Sequence, residues 1–399
     1  MKKTLIAFAA LSAIAGVAQA QSTVTLYGLL DANIGSYKGN VISGATTTPA
    51  FAGRIGPATQ VKIDSGGLNG SRFGMRIRED LGGGLAAVGN LEAGVALDTG
   101  ASTQGRLFGR RANVGLTGGF GTVTIGRNSS SYDDVSADHT MMAQTIFDPS
   151  NVNNGLSSSQ AAAIGTLAGA QPFLNRNTTW LGYNTRFNNS VKYISPNFGG
   201  FSGSVMYAFG EDKTTGTGGL DASKSVSANL KFANGPLVVS GGYQREQSGS
   251  TIETAIANPN TANGGKPALE NTLLSVSYDL GVAKLGAGFS RAKYKDVSAP
   301  AILGGGAFAA QKEFALSAAV PLGAATISAT VARSKGDTLG KSTGVGIQAL
   351  YSLSKRTTLY AGALNTRQYD RLARAIVNTN PGSNVSRVNT YAAGVRHTF

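Results

Sequence analysis

Residues 71–78 of the chain read SRFGMRIR, and their strict alternation decides the fold. The apolar and basic side chains of this stretch occupy opposite parities. The apolar set is Phe73, Met75 and Ile77, and the basic set is Arg72, Arg76 and Arg78. Because successive side chains of a β-strand point to opposite faces, the pattern predicts a strand with one apolar face and one cationic face.

The same alternation recurs on both sides of this stretch. A strand begins near Val24, another is predicted over 106–117, and the last runs from Val388 to Phe399. Short Gly-containing turns alternate with longer loops, and the segments between them number about sixteen. An even strand number with short turns at one end and long loops at the other predicts an all-β, transmembrane antiparallel β-barrel. A β-sandwich would need only about seven to ten strands.

One long segment interrupts this rhythm, at residues 128–176. It is polar, rich in Ser, Asn and Ala, and shows neither strand alternation nor a sustained helical stripe. A loop of this length within a regular β framework is uncommon and is usually functional or disordered. We expect it to fold into the barrel as the third external loop and narrow the lumen. A surface loop or a small disordered insert remains the alternative on length alone.

The first 20 residues have the pattern of a secretory signal peptide. Lys2 and Lys3 form the basic region, an apolar core follows to Val17, and residues 18–20 give a small-x-small cleavage site. Residues 21–399 would then form one exported barrel domain. The chain has no cysteine, 14% charged residues and 55 glycines. Few charges and abundant glycine are typical of a membrane barrel, although a soluble secreted β-protein would also fit.

The charge balance is strongly basic. Without Lys2 and Lys3, 33 basic residues face 21 acidic ones, a net charge of +12. The basic residues are scattered among the predicted strands and do not cluster beside aromatic residues, so nucleic acid is not an expected partner. The excess favours anionic solutes or the phosphate groups of lipopolysaccharide.

Several motifs together resemble the general diffusion porins of β-proteobacterial outer membranes. They are VTLYG at 24–28, SRFG at 71–74, EDLGGG at 79–84, FGTVTIGR at 120–127, NSVKYISP at 189–196 and GVRHTF at 394–399. The resemblance covers the mature chain in order. It implies a trimeric, sixteen-stranded channel that passes small hydrophilic solutes and often favours anions. The terminal Phe399 resembles the signal by which the barrel assembly machinery recognises such proteins. Asn197 departs from the family, which often has an acidic residue in this turn.

The candidate constriction is a basic wall opposed by acidic groups. Parity places Arg72, Arg76, Arg78 and Lys192 on the lumen side, and the resemblance adds Arg110 and Arg176 to the wall. Parity within 106–117 favours Arg111 over Arg110, and the motif match favours Arg110. The loop acids Asp133, Asp134 and Asp138, with Asp148 a weaker candidate, would oppose this wall and set up a transverse field. Ordinary hydrated side chains remain the alternative for each residue.

Enzymatic interpretations find little support in the residues. His139 and His397 are the only histidines, and without cysteine a zinc site of the usual composition is not expected. Asp138 and His139 follow a serine run, but no Gly-x-Ser-x-Gly elbow accompanies them. The sequence predicts a diffusion porin in the outer membrane of a Gram-negative bacterium. The predicted porin needs no cofactor. A barrel protease or lipase, or an adhesin acting through external loops, is the alternative.

Overall fold

The computed structural model describes residues 22–40, 57–150, 179–211, 213, 222–247, 268–295, 305, 307–371, 373–374 and 387–399. The predicted leader at 1–20 and Arg176 lie outside these residues. Within them the structure has seventeen β-strands. The strands are β1 (Thr23–Asn40), β2 (Pro57–Ser65), β3 (Arg72–Gly82), β4 (Leu85–Gly94), β5 (Arg111–Gly118), β6 (Gly121–Ser129), β7 (Arg186–Ile194), β8 (Phe201–Phe209), β9 (Lys224–Asn234), β10 (Leu237–Gln247), β11 (Ala268–Asp279), β12 (Lys284–Lys295), β13 (Gln311–Leu322), β14 (Ala325–Gly336), β15 (Gly340–Ser352), β16 (Thr357–Arg367) and β17 (Arg387–Thr398).

The antiparallel sheet closes on itself between its first and last strands. β1 pairs along one edge with β17, and Gly28 and Phe399 exchange two backbone hydrogen bonds of 3.1 Å. Along its other edge β1 pairs first with β3, through residues 23–29, and then with β2, through residues 32–40. β2 and β3 therefore lie end to end along the same edge of β1 and together fill one strand position of the barrel. The seventeen segments make a sixteen-stranded barrel, which confirms the predicted fold.

Asp31 on β1 holds the break between β2 and β3. Its carboxylate accepts the backbone N–H groups of Gly67, Leu68 and Asn69 at 2.8 to 3.1 Å. Tyr360 donates its hydroxyl to the same carboxylate at 2.5 Å. A carboxylate can be fully buried when its oxygens are hydrogen-bonded in this way. Asp31 therefore fixes the chain where the ladder is interrupted.

The barrel wall has an apolar outer face and a polar inner face. On β13, for example, the outward side chains of Phe314 and Leu316 are 51% and 62% exposed. Gln311 and Glu313, which alternate with them on the inner face, are fully buried. Outward apolar side chains that alternate with inward polar ones are the arrangement of a barrel surrounded by lipid. No helix among the described residues has the length and apolarity to cross a membrane.

The third long connection, residues 130–185, joins β6 to β7, and the parts of it that the structure describes fold into the barrel. Its described parts are 130–150 and 179–185. They cross the interior and bond to distant strands: the Ser131 N–H donates to Ser227 at 2.9 Å, and the Met141 N–H donates to Ser317 at 2.8 Å. The inward loop is thus confirmed. It extends past the predicted end at residue 176, because the return segment 179–185 is also held inside before β7 begins.

Glycines on the inner face make room for this loop. A Cβ atom added to Gly288 on β12 would lie 2.6 Å from Cγ of His139. One added to Gly362 on β16 would lie 2.7 Å from the Phe147 ring. Real Cβ contacts are essentially never this short, so the loop packs directly on the backbone of the wall.

Candidate pore constriction

The three arginines predicted to form a basic wall share one face of β3. Arg72, Arg76 and Arg78 lie on the opposite face from the exposed side chains of Phe73 and Ile77. The guanidinium carbon of Arg76 lies 4.1 Å from the centre of the Tyr27 ring, a cation–π contact that steadies this side chain. The alternation of β3 therefore directs its cations into the lumen.

The structure places both Arg110 and Arg111 on the lumen side. The strand predicted from residue 106 begins only at Arg111, so strand parity does not apply to Arg110. Arg111 is the first residue of β5 and lines the pore cavity beside Asn113. The backbone N–H of Arg110 donates to the carbonyl of Glu92 at 3.1 Å, which turns its side chain toward the inner face of β4.

Glu92 joins this arginine group to β1, and the sequence reasoning missed it. Arg110 Nε lies 2.6 Å from Glu92 Oε1, and Tyr27 donates its hydroxyl to Oε2 at 2.7 Å. Both members of the ion pair are nearly buried. The sequence does indicate that Glu92 faces the lumen, because it alternates with the apolar residues Leu91 and Ala93 of β4.

The loop acids have partners of their own. Asp134 lies 2.6 Å from Nζ of Lys192, and Asp138 lies 3.0 Å from Nζ of Lys231. Asp134 also accepts a hydrogen bond of 3.1 Å from Ser204. Lys192, expected on the wall, thus faces inward with its charge balanced by the loop. The sequence analysis did not single out Lys231 as a lumen residue. Its position on β9, opposite in parity to the outward Leu230, would have indicated one.

Asp133 has its partners on the return segment of the loop and on β7. Burial raises the pKa of its carboxyl, and the cation of Arg186 and the hydroxyl of Tyr183 oppose that rise. Tyr183 donates to Asp133 Oδ1 at 2.8 Å. Asp133 therefore ties the outgoing part of the loop to its return segment and does not face the arginines of β3.

A cavity of about 830 Å³ lies between the wall and the loop. Its charged lining includes Arg76, Arg78, Arg111, Lys192 and Lys231, with Asp134 as the acid. Serine, threonine and asparagine side chains supply most of the remaining polar surface. A wide polar cavity of this kind can hold water and hydrated ions.

The buried groups of the loop form a structural bridge. His139 Nε2 lies 3.1 Å from Ser150 Oγ, and Ser150 donates its hydroxyl to Asp148 at 2.7 Å. In a catalytic triad the histidine lies between the acid and the serine. Here the serine lies between the other two and is buried, and His139 Nδ1 has no hydrogen-bond partner among the described residues. The arrangement gives the hydrolase interpretation no support.

Metal ligands do not gather in the described residues, where no group of three or more His, Asp or Glu side chains could hold an ion. At the end of the chain, Phe399 lies with its ring over Gly28 on the outer face of β1.

Comparison with known proteins agrees with this geometry. The family model described as Gram-negative porin matches residues 7–371. The chain belongs to the Gram-negative porin family. This porin is 34% identical to outer membrane porin protein 32 of Delftia acidovorans over 301 residues, 74% of this chain and 71% of that protein.

Solved structures share the barrel of this porin. An anion-selective porin from Comamonas acidovorans has a TM-score of 0.69 and 25% identity, over 95% of this chain and all of that one. A trimer form of in-vitro folded OmpT from Vibrio cholerae has a TM-score of 0.54 and 16% identity, over 95% and 99% of the two chains, and shows the fold alone. The porin is an outer-membrane channel through which small hydrophilic solutes diffuse passively.

Proposed function

We propose that this porin prefers anions, and that the cations of β3 and β5 set the preference. One observation carries the proposal: the loop acids Asp134 and Asp138 are already paired with lysines. Arg76, Arg78 and Arg111 line the same cavity and form no ion pair with a described acid. The field in the cavity is therefore positive.

Charged rings in a narrow, water-filled passage select ions by sign. Arg72, Arg76, Arg78 and Arg111 would attract anions, and Arg110 would be held in place by Glu92. Lys192 would position the loop more than it attracts ions. Arg176 stays a predicted wall residue outside the described part of the chain. The similarity to the anion-selective porin from Comamonas acidovorans supports this assignment.

Reversal potentials test the proposal. Purified protein in a planar bilayer, under a potassium chloride gradient, should give a chloride-selective potential. Changing Arg72→Gln together with Arg76→Gln should move that potential toward zero. A matched pair, Lys224→Gln with Lys355→Gln, removes one exposed cation on the outer face of β9 and one in the turn before β16, and should leave the potential unchanged. Cation preference of the unchanged protein would overturn the proposal while leaving the porin intact.

The assembly belongs to the same proposal. We infer a homotrimer embedded in outer-membrane lipid and lipopolysaccharide, inserted by machinery that recognises Phe399. The trimer form of the Vibrio cholerae neighbour supports the oligomeric state. Conductance that rises in groups of three equal steps, together with a trimer mass in detergent, is the expected result. A stable monomer with full conductance would contradict it.

A further inference from the structure

The outer face of β12–β17 carries a row of cations near the end of the barrel that bears the long loops. We call this set the outer basic row. It consists of Arg291, Lys312, Arg333, Lys335, Lys341, Arg367 and Arg387, all of them exposed. Lys312 shares its strand parity with the outward side chains of Phe314 and Leu316, and Arg333 and Lys335 share theirs with Val331. The row therefore faces lipid and not the pore.

Strand register brings these cations side by side. The direct cross-strand pairs are Arg291–Lys312, Lys312–Lys335, Lys335–Lys341 and Arg367–Arg387. Directly opposite residues have Cβ atoms about 4.5–5.5 Å apart, and like charges at that spacing are destabilising. Anions lying between the side chains would relieve this repulsion.

The described part of the chain supplies few of these anions. Among the described residues, no member of the row forms an ion pair with an acid. Asp370 is an acid beside the row, but its carboxylate has other partners. One oxygen accepts the backbone N–H of Lys341 at 2.9 Å, and the other lies 3.5 Å from Arg374. Asp337, in the turn between β14 and β15, is exposed. The described residues therefore leave most of this charge unbalanced, and anions from outside the chain could balance it.

The height of the row on the barrel indicates the source of that charge. Phe289 and Phe314 pack against each other on the outer face, with ring centres 5.0 Å apart. Arg291 and Lys312 are the next outward residues toward the long loops. Aromatic side chains border the apolar band of membrane barrels, so the row lies at the level of the lipid head groups. The long loops of such barrels are extracellular, which places it in the outer leaflet.

We propose that the outer basic row binds the phosphate groups of an anionic glycolipid in the outer leaflet. Lysine and arginine form charge-assisted hydrogen bonds with phosphate, and clustered basic residues at a membrane surface hold anionic head groups. Several phosphates on one lipid could bridge neighbouring strands. The inference rests on the outer-membrane location of the family and is independent of the anion preference of the pore.

Native mass spectrometry of the purified porin in detergent tests this site. The probes are a bisphosphorylated lipid A, the same lipid without phosphates, and inorganic phosphate alone. The test variant carries Lys312→Gln, Lys335→Gln and Lys341→Gln. Its retention of lipid A should fall by about tenfold or more, because three clustered cations are lost. Retention of the dephosphorylated lipid should not change, and inorganic phosphate should not displace lipid A.

The matched control carries Lys213→Gln, Lys224→Gln and Lys355→Gln, which removes three exposed lysines elsewhere and should retain lipid A normally. Unchanged conductance and reversal potential in both variants would show that the barrels are folded and the pore is intact. Equal lipid A retention by the two variants would overturn the proposal. So would displacement by inorganic phosphate, or a changed oligomeric state of the test variant without any loss of lipid, which would assign the row to a second copy of the chain.

Discussion

Glu92 is the residue whose charge opposes the arginines most directly. It lies within 2.6 Å of Arg110, on the same inner face as Arg72 and Arg111. Glu92→Gln should therefore strengthen anion preference. A unit charge roughly 8 Å from a passing ion in water contributes about 0.5 kcal/mol, so the chloride-to-potassium permeability ratio should rise roughly two- to fourfold. Glu79→Gln, at the exposed end of β3, is the control. A lower ratio in Glu92→Gln would contradict the assignment.

His139 and Asp148 give the inward loop two pH responses of opposite sign. Burial lowers the pKa of His139 from 6.5 to about 4 and raises the pKa of Asp148 from 3.8 to about 6. The neutral form of each group is favoured in the folded loop. As pH falls from 6.5 to 4, the unfolded chain gains a proton on histidine and the loop loses stability. As pH falls from 6 to 3.8, Asp148 takes up a proton in the folded loop before it does so in the unfolded chain, and the loop gains stability.

Single substitutions should separate these responses. His139→Gln should make the seated loop more resistant to acid, and Asp148→Asn should make it less so, each by up to about 3 kcal/mol. Trp180 is the only tryptophan and stacks on His139 with ring centres 4.6 Å apart. Its emission during guanidinium titration at pH 4 and pH 7 therefore reports the seating of the loop. Equal pH responses in both variants would contradict the opposed shifts.

At the scale of elements, the glycines of the wall leave the space in which the loop packs. Gly288→Ala would place a methyl group 2.6 Å from His139 and should displace the loop, at about 1–3 kcal/mol. We expect larger single-channel conductance and stronger acrylamide quenching of Trp180. Gly241→Ala on β10 is the control, because its nearest neighbour would be 3.7 Å away. Unchanged quenching in Gly288→Ala would show that the loop is not seated there.

The strands could be predicted from sequence because lipid and water impose period-2 alternation on each of them. The lumen parity of Arg72, Arg76, Arg78 and Lys192 followed from the same rule. Other features depend on contacts between residues far apart in the chain. The break held by Asp31 needs Tyr360, more than 300 residues later, and the start of β5 at Arg111 depends on the bond from Arg110 to Glu92. Local alternation contains no information on either contact.

At the scale of the whole molecule, the partners of the loop acids decide the field of the pore. The predicted arrangement set Asp133, Asp134 and Asp138 against the whole basic wall, which included Lys192 as well as the arginines. Residue type made that reasonable, but spacing along a loop does not determine where each side chain ends. The fold brings Asp134 to Lys192 and Asp138 to Lys231, so the acids fasten the loop to β7 and β9. Under the proposed function, the unpaired arginines of β3 and β5 would then be the groups that attract anions.

Phe399 takes part in closing the barrel, and we propose that it is also recognised during assembly; the two roles can be separated by experiment. The backbone of Phe399 forms two hydrogen bonds with Gly28, whereas its ring is 52% exposed on the outer face. In lipid the ring gains little from burial, since the surrounding chains are equally apolar. Phe399→Leu should therefore leave the thermal stability of the refolded barrel within about 1 kcal/mol of its original value. If the aromatic terminus is the assembly signal, the amount inserted in cells should nevertheless fall severalfold. Normal insertion with lowered thermal stability would instead assign the ring to closure.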